Sequence, residues 1–169
     1  MEYVQVFDEN KNALKEKVSR DEKYDLPVGK YFMVALIFIE NAKGEFLMQK
    51  TSKSRHSCIA TTGGNVIYKH TAIETVVKEC KEELGIDILV KDINYVDTVL
   101  YKNCFLETFY AKMELDPNKL LLQTEEVESV RWYTKEEISR FIETNEFREG
   151  NIHPYKKLLE YKEGLISNR

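Results

Sequence analysis

A capped amphipathic helix that follows a pair of glycines is the feature that most constrains this chain. Thr71 is a good N-cap residue, and Glu74 three residues later completes a capping box that satisfies two backbone amides. Gly85 can adopt the left-handed conformation that ends many helices. Between them, apolar residues recur at helical spacing and predict one buried stripe, which consists of Ile73, Val76, Val77, Cys80 and Leu84.

Three carboxylates share one flank of this predicted helix. Glu79, Glu82 and Glu83 are neighbours there, because residues three and four positions apart meet on a helix surface. Like charges so placed repel each other, and a hard divalent cation such as Mg²⁺ or Mn²⁺ would relieve the repulsion. The alternative interpretation is a solvated helix face balanced by Lys78 and Lys81, and the helix alone does not decide between the two.

The glycine pair strengthens the metal interpretation. Gly63 and Gly64 predict a loop whose main chain can approach an ion or a phosphate closely. Loop and helix together resemble the Nudix box, G-x5-E-x7-R-E-U-x-E-E-x-G-U, where U is a bulky aliphatic residue. The places that match are Gly64, Glu79, Glu82, Glu83, Gly85 and Ile86, with the small apolar Cys80 at a U place. Two places differ from the motif: His70 occupies the place of the first Glu, and Lys78 occupies the place of the Arg.

This resemblance implies both a fold and an activity. The fold would be α+β, a Nudix-like α/β/α sandwich with a mixed β-sheet. The activity would be hydrolysis of a nucleoside diphosphate linked to another moiety, or of a related pyrophosphate, with Mg²⁺ or Mn²⁺ as cofactor and a small-molecule diphosphate as substrate. Glu79 and Glu83 would be the main metal ligands, and Glu82 a further ligand or the base that orients water. The main-chain carbonyl near Gly64 would complete the metal shell.

The two departures from the motif keep a second function open. Lys78 is a mobile point charge, whereas the expected Arg would hold carboxylates with a planar fork. Both departures affect supporting positions, so we expect metal binding to be kept and turnover to be lowered. The alternative is a ligand-binding or regulatory module that retains the fold without the activity.

The opening residues and the segment from Gly44 to Lys50 are similar to the Nudix branch that contains type I isopentenyl-diphosphate isomerase. That branch requires a Cys acid/base where this chain has Gly63, and a metal-binding His where it has Asn65. A glycine cannot donate a proton. The sequence therefore predicts the shape of that branch without its isomerase chemistry.

Composition limits the remaining possibilities. The chain has 169 residues, 43% of them hydrophobic, and we expect a single domain over residues 1–169. The net charge of −4 argues against binding a nucleic acid polymer. No apolar run approaches the ~20 residues of a membrane span and no signal-peptide pattern is present, which predicts a cytoplasmic protein without membrane contact. A homodimer is compatible with the sequence.

The three cysteines suggest neither a disulfide framework nor a zinc site, and a nucleophilic Cys58 has no evident partner base.

The rest of the chain is predicted to alternate strands with two further helices. The strands are a hairpin over 3–18, a central strand over 31–40 with a partner over 45–50, long strands over 88–101 and 105–115, and a strand over 127–133. The capping pair Thr134 and Glu137 opens a helix over 134–144, and His153 with Pro154 opens a last helix over 154–165. The Nudix box itself covers 64–86.

A basic segment lies between the central strands and the glycines. It carries Lys53, Arg55 and His56 within the segment 51–62, which is predicted to be a loop, and Lys50 directly precedes that loop. These side chains are candidates for binding substrate phosphates, Lys50, Lys53 and Arg55 above all. A solvated basic loop is the alternative, because short basic clusters are weak motifs.

Overall fold

The computed structural model describes residues 2–167, in which nine strands accompany three α-helices. The strands are β1 (Val4–Phe7), β2 (Ala13–Val18), β3 (Phe32–Glu40), β4 (Phe46–Thr51), β5 (Ile59–Ala60), β6 (Thr62–Asn65), β7 (Asn94–Tyr101), β8 (Cys104–Lys112) and β9 (Val127–Tyr133). The helices are α1 (Ala72–Glu79), α2 (Lys135–Glu143) and α3 (Glu149–Ser167). None of these helices is both long and apolar enough to cross a bilayer.

A mixed seven-stranded sheet organises these elements. Its order is β5-β4-β3-β8-β7, with β6 added beside β3 and β9 beside β4, while β1 and β2 form a separate hairpin. The central strand β3 pairs in parallel with β8 from Phe32 to Glu40 and antiparallel with β6 on its other side. The long apolar strand predicted over 31–40 is confirmed as β3. It is apolar along most of its length because both of its faces are covered.

The two faces of β3 pack against different helices. Side chains at odd positions, such as Ala35 and Ile37, belong to the core that contains Val76 of α1. Phe38 at an even position packs against Tyr155 of α3. Helices therefore cover both faces of the mixed sheet, and the predicted α+β fold, an α/β/α sandwich, is confirmed.

The predicted start and end of the acidic helix are both confirmed. The Thr71 hydroxyl accepts a hydrogen bond from the backbone N–H of Glu74, and the Glu74 carboxylate accepts one from the backbone N–H of Thr71, each at 3.2 Å. After Glu79 the helix continues as a π-helical turn, Cys80–Leu84, and ends at Gly85 with a φ of 70°. The stripe is buried at Val76, Cys80 and Leu84, and its other two members pack against the same core.

The predicted glycine loop is wrong. Gly63 and Gly64 lie in β6 and pair with Leu36 and Ala35 of β3, and neither has a positive φ. Glycine is needed here for close approach, because a Cβ at Gly63 would lie 2.3 Å from the carbonyl oxygen of Ala35. The sequence does not indicate this strand, because glycine has a low intrinsic preference for strands.

Two element boundaries also differ from the predictions. The strand predicted over 88–101 begins only at Asn94, because a 3₁₀ turn at Val90–Asp92 precedes it and lets Ile88 and Ile93 turn into the core. The last helix begins at Glu149, one turn before its predicted start at Pro154. Proline is favoured in a first turn, but here it lies inside the helix and removes one backbone hydrogen bond.

Candidate active site

The end of α1, the strand β6 and the segment before β9 meet around a small polar cavity of about 130 Å³. We name it the acidic cavity. Its lining includes Gly64 and Asn65 from β6, and the side chains of Lys78, Glu79, Glu82 and Glu126. The sequence separates Glu126 from Glu82 by more than forty residues, and the fold brings them to one place.

Glu79 and Glu83 form a largely buried carboxylate pair, of which Glu79 lines the acidic cavity. The Glu79 carboxylate lies directly against Gly64, where a Cβ would come within 2.7 Å of Glu79 Oε1. Glu83 is only 4% exposed and accepts a hydrogen bond of 2.9 Å from Gln49 Nε2. Burial raises the pKa of both carboxyl groups, and the hydrogen bond and charge of Glu83 add to the rise at Glu79. A buried pair of this kind favours either a shared proton or a bound cation.

Glu82 lies apart from the buried pair and contacts Lys78. Its side chain is 49% exposed, and Lys78 Nζ lies 3.4 Å from its carboxylate. The same ammonium is 4.0 Å from Glu79 and 3.4 Å from Glu2. Burial lowers the pKa of Lys78, but the charges of Glu79, Glu2 and Glu82 outweigh this effect and the pKa is raised. Lys78 therefore contacts two of the three predicted carboxylates from the place where the motif has an Arg.

The donor atoms suit a hard divalent cation. Within residues 2–167 no three His, Cys, Asp or Glu side chains converge as a ready-made metal site. The buried pair Glu79 and Glu83 nevertheless supplies carboxylate oxygens, which Mg²⁺ and Mn²⁺ prefer. Gly64 leaves the space beside Glu79 that any side chain would fill. The residues present thus fit the expected metal, with Glu82 close by but turned toward Lys78.

The basic side chains predicted to bind phosphate are separated by the fold. Arg55 lines the acidic cavity and donates a hydrogen bond of 2.8 Å to Glu126 Oε2. Lys50 lies on β4, pairs with Glu128 at 3.4 Å and lines a different cavity. Lys53 is an exposed residue of the 3₁₀ turn Lys53–Arg55 and does not line the acidic cavity as the structure describes it.

Glu126 is the site residue that sequence reasoning missed. It pairs with Arg55, and its negative charge contributes to the raised pKa of Glu83. The only sequence signal is the pair Glu125–Glu126 directly before the β9 strand, which reads as an ordinary turn. Its partnership with Arg55 arises because β9 pairs with β4, which runs into the Arg55 turn.

The cysteines take no part in this site. All three are free, and burial raises the pKa of Cys80 to about 12. Cys58 is partly buried, and its Sγ lies 3.6 Å from the hydroxyl of Thr51.

An α/β/α sandwich with a carboxylate-rich helix end against a glycine-containing strand defines the class of protein. The sequence matches the family described as NUDIX domain over residues 30–157, and the chain belongs to this family. It is 28% identical over 151 residues to the uncharacterized Nudix hydrolase lin0387 of Listeria innocua, covering 87% of this chain and 88% of that protein. The protein is accordingly a pyrophosphohydrolase of the Nudix type.

Solved structures agree with the fold. DR0079 from Deinococcus radiodurans matches with a TM-score of 0.70 at 16% identity, covering 89% of this chain and 94% of that one. A Nudix hydrolase from Nitrosomonas europaea matches with a TM-score of 0.62 at 14% identity, covering 77% and 89%. At these identities the likeness concerns the architecture alone.

Proposed function

We propose that the protein is a divalent-metal-dependent hydrolase that cleaves a nucleoside diphosphate linked to another moiety, or a related pyrophosphate. The observation that carries the proposal is the largely buried Glu79–Glu83 pair, in which Glu79 lies against Gly64 and lines the polar cavity. Two carboxylates that share a buried place repel each other, and a cation bound between them removes that cost. Family membership supports the same reaction class.

Each side chain of the site has a role in this proposal. Glu79 and Glu83 would hold Mg²⁺ or Mn²⁺, with the main chain at Gly64 as a further oxygen donor, and Glu82 would orient the attacking water or add a ligand. The bound ion supplies Lewis acidity, which polarises a phosphoryl oxygen and lowers the pKa of bound water. Lys78 holds Glu82 in place by their ion pair at 3.4 Å.

Arg55 is the phosphate-binding group that the geometry favours. Its guanidinium lines the acidic cavity, and Glu126 holds it in place. Guanidinium groups bind phosphate oxygens through two parallel hydrogen bonds, which suits a diphosphate. Lys50 and Lys53 lie farther along the same basic segment, where they would contact only the outer part of a substrate.

Isomerase chemistry is not part of the proposal. The sequence likeness to the isopentenyl-diphosphate isomerase branch carries no isomerase chemistry into the proposal. A Cys acid/base at Gly63 would have no space, because a Cβ there would lie 2.3 Å from the Ala35 carbonyl oxygen. A binding module that keeps the fold without turnover, which Lys78 in place of Arg motivates, is the less favoured alternative, because the chain's relatives are Nudix hydrolases.

A hydrolysis assay separates these functions. The wild type is incubated with a panel of nucleoside diphosphate compounds, with and without Mg²⁺ or Mn²⁺, and the phosphorylated products are quantified. We expect product only with metal, and a loss of about a hundredfold or more in Glu79→Gln and in Glu82→Gln. Glu128→Gln is the matched control, because Glu128 pairs with Lys50 outside the acidic cavity.

The control variant should retain wild-type activity. Binding of the compounds without release of product, for every compound and both metals, would instead support the binding module. Activity that survives in Glu79→Gln would contradict the assignment of the metal site.

A further inference from the structure

Two cations of the acidic cavity face the same exposed carboxylate. Arg20, Lys78 and Glu2 all line this cavity, although Glu2 precedes β1, Arg20 follows β2 and Lys78 lies in α1. Arg20 Nη2 lies 3.6 Å from Glu2 Oε1, and Lys78 Nζ lies 3.4 Å from Glu2 Oε2. Each oxygen of the carboxylate therefore faces a different cation, an arrangement that also suits an anion with several oxygens.

The hairpin of β1 and β2 determines where Glu2 and Arg20 lie. Val4 pairs with Val18 at the open end of the hairpin, and the same register continued by two residues places Glu2 opposite Arg20. Val4 is buried and Val18 packs against the same core cluster, which anchors both strands beside the cavity. Only the side chains of Glu2 and Arg20 therefore have to move when another anion takes the place of the Glu2 carboxylate.

The Glu2 carboxylate is weakly held at this place. Its side chain is 48% exposed, and that of Arg20 is 51% exposed. Ion pairs between such exposed side chains contribute little, because water screens them and ordering two long side chains costs entropy. A phosphoryl group carries more charge than a carboxylate and has more oxygens to accept hydrogen bonds. It can therefore displace Glu2 at small cost.

Arg20 is the less firmly held of the two guanidinium groups that line the cavity. Arg55 donates a hydrogen bond of 2.8 Å to Glu126, whereas Arg20 lies 3.6 Å from Glu2, the one ion-pair partner it has among residues 2–167. A guanidinium presents its N–H groups as a planar fork that matches two phosphate oxygens. The fork of Arg20 can turn toward a ligand without breaking a close hydrogen bond.

The place between Arg20 and Lys78 adjoins the carboxylates proposed to bind metal. Lys78 Nζ lies 3.4 Å from Glu2 and 4.0 Å from Glu79 Oε1, so one ammonium contacts both carboxylates. An ammonium has three N–H donors and can serve two neighbouring anionic groups at once. A diphosphate likewise carries two anionic groups side by side, since its phosphoryl groups share one bridging oxygen.

We propose that Arg20 and Lys78 bind one of the two phosphoryl groups of the substrate, at the place that the Glu2 carboxylate takes in the structure. This inference rests on the proposed function and adds a phosphate position to it. Glu2 then competes with the substrate, so removing its charge strengthens binding, whereas removing the charge of Arg20 weakens it. An ion pair that only stabilised the hairpin would not give opposite signs, because the loss of either partner breaks it.

Calorimetric titration with methylenediphosphonate tests the inference, because the carbon bridge of this diphosphate analogue is not hydrolysed. The titrations are made in Mg²⁺ and again in EDTA, and neither requires turnover. We expect Glu2→Gln to bind the analogue about threefold more tightly than the wild type, and Arg20→Gln about fivefold more weakly. Urea denaturation of each variant should show that it remains folded, since both side chains are half-exposed.

A double variant separates direct competition from a general effect of charge. The gain from Glu2→Gln should shrink in an Arg20→Gln protein, because the two residues contact each other. A negative charge that acted only at a distance would give the same gain in both proteins. Glu125→Gln is the matched control, because Glu125 adjoins Glu126 in the chain without lining the cavity, and we expect it to bind like the wild type. Methylphosphonate, with a single phosphoryl group, should bind more weakly than the diphosphonate.

Four results would overturn the inference. The analogue binds Arg20→Gln as tightly as the wild type, or it binds the wild type neither in Mg²⁺ nor in EDTA. Glu2→Gln gives no gain, or a gain that Glu125→Gln or the double variant reproduces in full. Methylphosphonate binds as tightly as the diphosphonate, which assigns the place to a free phosphate ion.

The result is separate from that of the hydrolysis assay. The expected ranking of variants without metal-dependent turnover would keep this phosphate position and refute the proposed reaction. Metal-dependent turnover without that ranking would keep the reaction and refute the position.

Discussion

Replacing Glu79 by glutamine should stabilise the metal-free protein at alkaline pH, although it removes a residue proposed to be essential for activity. The pKa of Glu79 is raised from 4.5 to about 8, first by burial and then by Glu83. Because the folded-state pKa lies above the unfolded value, the folded protein binds more protons than the unfolded chain at pH values between the two. Its stability is therefore full below about pH 4.5 and falls as the pH rises toward 8.

The size of the effect follows from the same shift. For a carboxyl group that titrated alone, a rise from 4.5 to about 8 would correspond to about 5 kcal/mol. Glu79 and Glu83 titrate together, and the rise at Glu79 includes the charge of its partner, so we expect about 2 kcal/mol for the single replacement. Glutamine has the shape of the protonated acid and can donate a hydrogen bond to Glu83.

Urea denaturation in EDTA at pH 5.5, 7.0 and 8.5 measures this difference. The wild type should lose stability across the series, and Glu79→Gln should lose less and be the more stable protein at pH 8.5. Glu82→Gln is the matched control, because Glu82 is half-exposed and paired with Lys78, and it should change stability by less than about 0.5 kcal/mol. A Glu79→Gln protein less stable than the wild type at pH 8.5 would refute the reasoning. Added Mn²⁺ should stabilise the wild type at pH 8.5 and leave Glu79→Gln unchanged.

Three further predictions concern the same region. Gly64→Ala should lower kcat strongly with a modest loss of stability, because its Cβ displaces the flexible Glu79 side chain. Gly63→Ala should lower the free energy of unfolding by about 2 kcal/mol, because its Cβ meets backbone atoms of β3. Steady-state kinetics and urea denaturation of both variants measure the difference. Thr71→Ala should cost about 1 kcal/mol in the same denaturation assay, because it removes the helix cap. Lys78→Met should lower kcat/KM by about tenfold, because only a cation holds the neighbouring carboxylates in place. Lys78→Arg should retain the wild-type kcat/KM, and steady-state kinetics of both variants measures the difference.

Local signals in the sequence were sufficient to predict the starts of α1 and α2. The capping pairs Thr71 with Glu74 and Thr134 with Glu137 act within four residues, so no tertiary information is needed to recognise them. The strand β6 escaped prediction because its glycines are required by a contact with β3, about thirty residues away in the chain. Propensity cannot indicate a contact of that range.

The candidate site, like the fold, could be predicted only in part from the sequence. The spacing of Glu79, Glu82 and Glu83 is visible in the sequence, but their different burial depends on contacts with two strands, since Glu79 packs against Gly64 of β6 and Glu83 bonds to Gln49 of β4. The pairing of Arg55 with Glu126 depends on β4 and β9 being neighbours. Sequence reasoning therefore indicated which residues to propose for the site and could not assign their partners.

The placement of α1 and α3 on opposite faces of one sheet has a consequence for how such a protein can diversify. The acidic helix packs on one face, while α3 packs on the other and its start is held by the hydrogen bond from the backbone N–H of Thr61 to Asn151 Oδ1. Substitutions on the exposed side of α3 can therefore accumulate without displacing the carboxylates of α1, which we propose to bind the metal.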